Sequence, residues 1–384
     1  MTERYDLAVV GAGILGLAHA LAAAKAGLRV IVLERDQRAV GASIRNFGFV
    51  TVTGQQRGEC YRRAMRSRDI WDAVAAEAGI PVIHRGLALA AHGDDSLAVL
   101  EAFVADAEMG PGCELLDPDA ALQRLPMLKA DRLRGVLWSP HERRVDPRQA
   151  ITVLTRYLEE IHGVEFRFGV NVLSVGPPTL ETQSGSVCAD RIAVCPGADF
   201  GGPLADRIAA LGLTKCKLHM LRLASPGWRL PASIMSETSL PRYLGYAELS
   251  AAQPVRERIA RDRPDLVAHG IHLIVTQDAD GNLVVGDSHH YGDPPDPFVS
   301  EAVDDLIIDL ARETIDLPDV KVVERWTGVY ASAENALAII DRPADRMRLA
   351  LVTSGTGMST AFAIGEEVVD ELFDTGMATS ARTA

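Results

Sequence analysis

Residues 5–35 read YDLAVVGAGILGLAHALAAAKAGLRVIVLER, and the order of features in this stretch decides the fold. Residues 5–10 (YDLAVV) are a short apolar run of the kind that fills a buried parallel strand. Glycines follow, then an alanine-rich helix predicted through Ala26 and stopped by Gly27, the residue type that most often ends a helix. Residues 28–35 (LRVIVLER) predict a second strand, which completes one βαβ unit.

Between strand and helix, Gly11-Ala12-Gly13-Ile14-Leu15-Gly16 has the G-x-G-x-x-G spacing. Gly11 permits the tight turn, Gly13 lets the backbone approach a pyrophosphate, and Gly16 lets the helix pack on the strand. Free N–H groups and the helix dipole would hold the phosphates there. Glu34 ends the second strand, where a carboxylate can accept hydrogen bonds from ribose hydroxyls, and Arg35 follows it. A lone glycine turn is common in α/β proteins; strand, helix and acid together point to a dinucleotide. The glycines alone do not separate FAD from NAD.

At 384 residues the chain exceeds one ordinary domain and suits two. Its 47% hydrophobic and 24% charged residues support a large core and argue against disorder. A formal net charge of −13 disfavours nucleic acid and anionic membrane as partners. The cysteines Cys60, Cys113, Cys188, Cys195 and Cys216 are scattered and form no CxxC pair, so neither a disulfide framework nor a metal site is predicted. The first residues carry no signal peptide, and no apolar run reaches the roughly 18 residues of a membrane helix. A cytoplasmic protein is expected, its oligomeric state left open.

Past position 80 the rhythm changes. IPVIHRGLALAA (80–91) and GVLWSP (135–140) predict strands with helix between them. VDPRQAITVLTRYLEEIHG (145–163) returns to helix, with Asp146 as N-cap and Pro147 in the first turn. RIAVCPGA (191–198) predicts a buried strand, and HLIVTQDADGNLVVGD (272–287) a hairpin turning at Asp280-Gly281. LALVTSG (349–355) and STAFAIGEEVVDELFDTG (359–376) predict a last strand and helix. Glycine–strand–helix themes at both ends and in the middle imply an α/β fold (α+β overall). A Rossmann-type dinucleotide domain, residues 1–80, 141–213 and 321–384, would interleave with an antiparallel-sheet substrate domain, residues 81–140 and 214–320.

Over essentially its whole length the chain resembles the amine-oxidising flavoprotein family of D-amino-acid oxidase, glycine oxidase and monomeric sarcosine oxidase. Beside GAGILG and Glu34, the likeness rests on Gly41-Ala42-Ser43-Ile44-Arg45-Asn46-Phe47-Gly48, which in the family follows the pyrophosphate and ribityl chain. It rests also on Cys195, Gly197 and Ala198 in AVCPGA, and on Gly355-Thr356-Gly357-Met358-Ser359-Thr360, similar to the family's flavin-contacting turn. The resemblance implies FAD as cofactor, with Val172 touching adenine through its backbone.

The departures bear on the substrate. Tyr330 stands where glycine oxidase-like members place a carboxylate-binding arginine, and Ser359 where sarcosine oxidase-like members place a lysine. Gly328 stands where covalent relatives have cysteine, so noncovalent FAD is implied. The combination of GASIRNFGFVTVTGQ, CKLHMLR and GDSHHYGD resembles a branch associated with aminophosphonate breakdown. That likeness implies oxidative deamination of 2-aminoethylphosphonate or an N-alkyl or hydroxylated relative, with dioxygen reduced to hydrogen peroxide. Arg45, Met220, Arg222, Arg242, Tyr243, His289 and Tyr330 are the candidate substrate-binding residues. Among these, His289, Tyr330 and Arg222 are the candidate catalytic residues, because an imidazole can accept a proton near neutrality and arginine forks suit oxyanions.

Val284 aligns with a lysine that the family links to oxygen activation, which keeps a dehydrogenase open. Rival readings are glycine, sarcosine or D-amino-acid oxidation, a tRNA-modifying flavoprotein, a nicotinamide-dependent dehydrogenase and a non-catalytic subunit.

Overall fold

A computed structural model describes residues 4–319 and 321–377 of the chain. The opening unit forms as its sequence predicts: strand Arg4–Val10, helix Ile14–Lys25 and strand Val30–Glu34. These two strands sit side by side and parallel inside an eight-stranded sheet, between Gly185–Val194 and Glu165–Phe168. Met347–Val352 extends the parallel array, and Ala338–Ala344 closes that edge antiparallel. Val30 and Val32 point into a core shared with helices Ile14–Lys25, Glu59–Ala78, Pro147–Glu160 and Gly357–Phe373. Ile31 and Leu33 point the other way, into a core closed by Val172, Leu180 and Val187. Burial on both faces explains the unbroken apolar runs. Asp146 caps Pro147–Glu160 as predicted, its side chain accepting the Arg148 N–H.

A second sheet of ten strands is mostly antiparallel. It contains the predicted hairpin, Ile274–Gln277 with Leu283–Gly286, and the long pair Thr214–Leu223 with Val322–Ser332. One face packs around Phe47, Phe49, Leu218 and Met220, and the other against helix Glu301–Thr314. The chain enters this sheet three times, at Phe49–Val50, from Val82 to Val145, and from Thr214 to Ser332. Val322–Ser332, placed by sequence with the dinucleotide segments, thus lies in the second sheet. Its alternation suits any half-buried strand, and only the ten-residue pairing with Thr214–Leu223 decides which sheet takes it. Among the described residues no helix is long and apolar enough to cross a membrane.

Candidate cofactor and substrate site

The first glycine turn is built by contacts that a side chain would break. A Cβ on Gly11, whose φ is +104°, would lie 2.5 Å from the Cys195 carbonyl oxygen; on Gly16 it would lie 1.9 Å from that of Gly11. Cys195 is buried beneath this turn. Helix Ile14–Lys25 begins at Gly13 with no capping side chain and no acid in its first turn. Its Ile14 N–H donates to Ser43 Oγ at 2.9 Å. The Glu34 carboxylate lies at the same turn, accepting the Ala12 N–H at 2.8 Å and the Asp36 N–H at 3.0 Å.

A second helix start stands beside the first. Gly357–Phe373 also lacks an acid in its first turn and a capping side chain, and a Cβ on Gly357 would lie 3.6 Å from Ile14 Cγ2. Two adjacent positive helix ends with no acid in their first turns suit a ligand that carries negative charge at two places. Beyond Glu34, a cavity of about 400 Å³ is lined by Arg35, Asp36, Asn171 and Val172, with Gly201 and Gly202 closing it. The loop between the two ends is stapled by Asn46, which donates to the Ala42 and Ser43 carbonyls and accepts the Gly48 N–H. The residues fit an extended dinucleotide running from Val172 past Gly13 and Ser43 toward Gly355.

There the two sheets enclose a cavity of about 250 Å³. It brings together Asn46, Phe47, Gly355, Thr356, Met358 and Ser359 from the cofactor set. Arg242, Tyr243, His289 and Tyr330 from the substrate set line the same space. The Tyr330 ring rests on the Gly355 turn, where a Cβ would lie 3.0 Å from its Cζ. Ser359 is committed to the fold, its hydroxyl accepting the Thr51 N–H at 2.8 Å. Arg242 is the one arginine or lysine lining this cavity among the described residues. Burial disfavours its charge, but Tyr330, Tyr291 and Asp287 outweigh that, so its pKa is raised.

Three predicted substrate residues lie elsewhere. The Arg45 side chain is exposed and lines a separate cavity of about 960 Å³ with Arg148 and Trp326, while its carbonyl accepts the Trp326 Nε1–H at 3.1 Å. Met220 is fully buried in the core beside Phe47. Arg222 pairs with Asp278 at 3.6 Å and Glu324 at 3.3 Å. It lies four residues past the cavity-lining Leu218, about 13 Å along the strand at the usual rise.

Two residues that sequence reasoning missed complete the cavity wall. Asp287 and His272 are both buried, and His272 Nε2 lies 3.2 Å from Asp287 Oδ1. Burial lifts the Asp287 carboxyl to about 7, with Arg242 opposing the shift. His289 donates from Nδ1 to the Gly270 carbonyl at 2.9 Å, and burial followed by Arg242 pushes its imidazole down to about 3. Burial and then His289 hold His272 well below the ordinary range. The missed signal was the hairpin, whose predicted stretch runs from His272 to Asp287: a one-residue register shift beyond the Ile274–Gly286 pair sets these two residues opposite each other, and their backbones exchange hydrogen bonds there.

A Rossmann-type unit joined to an antiparallel substrate sheet, with a cavity between them, defines a flavin-dependent oxidoreductase architecture. Residues 6–371 match the FAD dependent oxidoreductase family DAO, and the chain belongs to that family. One curated relative, the glycine oxidase of Geobacillus kaustophilus (strain HTA426), is 25% identical over 211 residues, covering 52% of this chain and 56% of that enzyme. The chain thus spans about half the length of that relative. The crystal structure of glycine oxidase from Geobacillus kaustophilus superposes with a TM-score of 0.77 at 19% identity, covering 97% of this chain and 95% of that one. L-proline dehydrogenase from P. horikoshii gives 0.78 at 18%, covering 97% and 94%. At such identities the superpositions speak for the fold alone. FAD is the family's cofactor; when bound it accepts a hydride equivalent from the substrate.

Proposed function

We propose that this protein oxidises a small amine bearing an acidic group, giving an imine that water hydrolyses to an aldehyde or ketone. FAD is held without a covalent bond, dioxygen reoxidises it, and the acidic group sits on Arg242. The carrying observation is the 250 Å³ cavity, whose one cation among the described residues is Arg242, flanked by the phenols of Tyr291, Tyr330 and Tyr243. Burial raises the pKa of Tyr330 and Tyr243, so both are neutral donors at working pH. The cavity's size favours a substrate of few atoms. Glycine oxidase, the curated relative, names a substrate of this general kind.

Within that class the reading is an aminophosphonate, such as 2-aminoethylphosphonate or an N-alkyl or hydroxylated relative. Tyr330 and Ser359 replace the family's carboxylate-binding cations, and a single guanidinium among spread phenols suits a tetrahedral anion with three acceptor oxygens. The test is oxygen-free mixing with 2-aminoethylphosphonate, its N-methyl derivative, glycine, sarcosine and D-alanine, following loss of flavin colour. The aminophosphonates should bleach the flavin fastest. Arg242→Ala should lower kcat/KM by roughly 10²-fold with FAD content unchanged. Fastest bleaching by glycine or sarcosine would refute the phosphonate reading, and an unaffected Arg242→Ala would refute the anchor.

A further inference from the structure

One corner of the same cavity is rich in acceptors. One ring nitrogen each of His272 and His289 and a carboxylate oxygen of Asp287 lie within 4.8 Å of one another, and all three residues are buried. A carbonyl only accepts, so His289 must carry its proton on Nδ1 toward Gly270. The neutral ring therefore turns a lone pair at Nε2 toward Asp287 Oδ2, 3.8 Å away. Asp287 Oδ1 is buried and receives no hydrogen bond, although His272 Nε2 is close. A buried carboxylate short of donors beside an imidazole lone pair calls for a small cation with N–H groups.

We infer that Asp287, with the His289 lone pair beside it, is the amine subsite: it binds the substrate's ammonium and takes its proton. One N–H bond breaks and one O–H bond forms, leaving a neutral amine and a carboxylic acid. The neutral nitrogen's lone pair can then stabilise positive charge developing at the neighbouring carbon as hydride leaves. This rests on Arg242 holding the acidic end, and the two subsites together select a zwitterion with its charges at opposite ends. Asp287 is faced by Arg242 and Tyr243 from one loop, His272 and His289 from the hairpin ends, and Cys216 from the neighbouring strand. Its carboxyl near 7 makes it an acid in acidic solution and a base above neutrality.

Two measurements on the FAD-loaded protein test this. Ethylphosphonate, which has the anion but no amine, should perturb the flavin spectrum of wild type and Asp287→Asn with Kd values within about twofold, and bind Arg242→Ala at least about tenfold more weakly. Oxygen-free mixing with 2-aminoethylphosphonate should reduce Asp287→Asn about 100-fold more slowly than wild type at pH 7. The variant's rate should keep climbing with pH as the free amine approaches its own pKa near ~10, whereas wild type should level off above neutrality.

His289→Gln sets an amide donor beside Asp287 in place of a lone pair, so its inflection should move to lower pH. A wild-type rate and pH profile in Asp287→Asn, an unmoved inflection in His289→Gln, or a stoichiometric divalent metal lost with Asp287 would overturn the inference. The Arg242 reading would survive each of these; ethylphosphonate that does not bind wild type at all would overturn both.

Discussion

A side chain at position 13 would change the cofactor and not the fold. Gly13 has φ −72° and ψ 172°, extended backbone that any residue adopts. A Cβ there would meet only Ser43 Oγ, at 3.0 Å, the end of a small movable side chain. Gly11 and Gly16 differ, because their missing methyls would strike backbone oxygens. Gly13→Val should therefore fold, with an unchanged circular dichroism spectrum, yet purify colourless, since its branches occupy the path of the pyrophosphate. Wild type should release all its flavin on acid precipitation, because position 328, where the resemblance implies cysteine in covalent relatives, is glycine. Full flavin in Gly13→Val, or colour left in the wild-type pellet, would contradict this account. These residues were legible in sequence because a glycine's role follows from its neighbours in the chain. Asp287 was not, since its importance comes from what surrounds it.

At the scale of an element, what matters is where a side chain falls along a strand. Thr214–Leu223 carries Leu218 to the cavity and Arg222 well beyond it, and the sequence shows only that both share a face. Arg222 instead closes a charge cluster with Asp278, which is almost wholly buried, and Glu324. Arg222→Ala should leave kcat/KM within about threefold, because the lost contacts are not with substrate. It should cost about 1–3 kcal/mol of stability by leaving the Asp278 carboxylate short of a partner. Urea unfolding beside steady-state rates checks both halves, and a 10²-fold fall in kcat/KM would place Arg222 back at the chemistry. Caps and hairpins were readable for the opposite reason: Asp146-Pro147 and Asp280-Gly281 act within a few residues of themselves. Strand Val322–Ser332 gave no local sign of which sheet would receive it.

Across the whole molecule, buried neutral imidazoles tie stability to pH. His19 and His84 are both buried, and burial alone or with Arg144 holds them near 4 and 3. Both are stabilised in the fold only while neutral, with Nε2 of His19 and Nδ1 of His84 lacking any partner. Their folded pKa values lie below the unfolded one, so the unfolded chain binds more protons once pH falls beneath about 6.5. Stability is then lost progressively from about pH 6.5 down toward 4, by on the order of 2 kcal/mol for each of the two at pH 5. His272 and His289 act in the same direction. Asp287 acts in the opposite one, because its raised pKa makes the fold less stable as pH climbs through 4 to 7. Four histidines outweigh one carboxyl, and relief of surface repulsion from the net charge of −13 is screened by salt. The thermal midpoint of the flavin-loaded protein in moderate salt should fall between pH 7 and pH 5. His84→Gln should fall less steeply, since its amide gains no proton in the unfolded chain. A midpoint that holds level across that interval, or a His84→Gln slope as steep as wild type, would show that buried imidazoles do not set the acid limit of this fold.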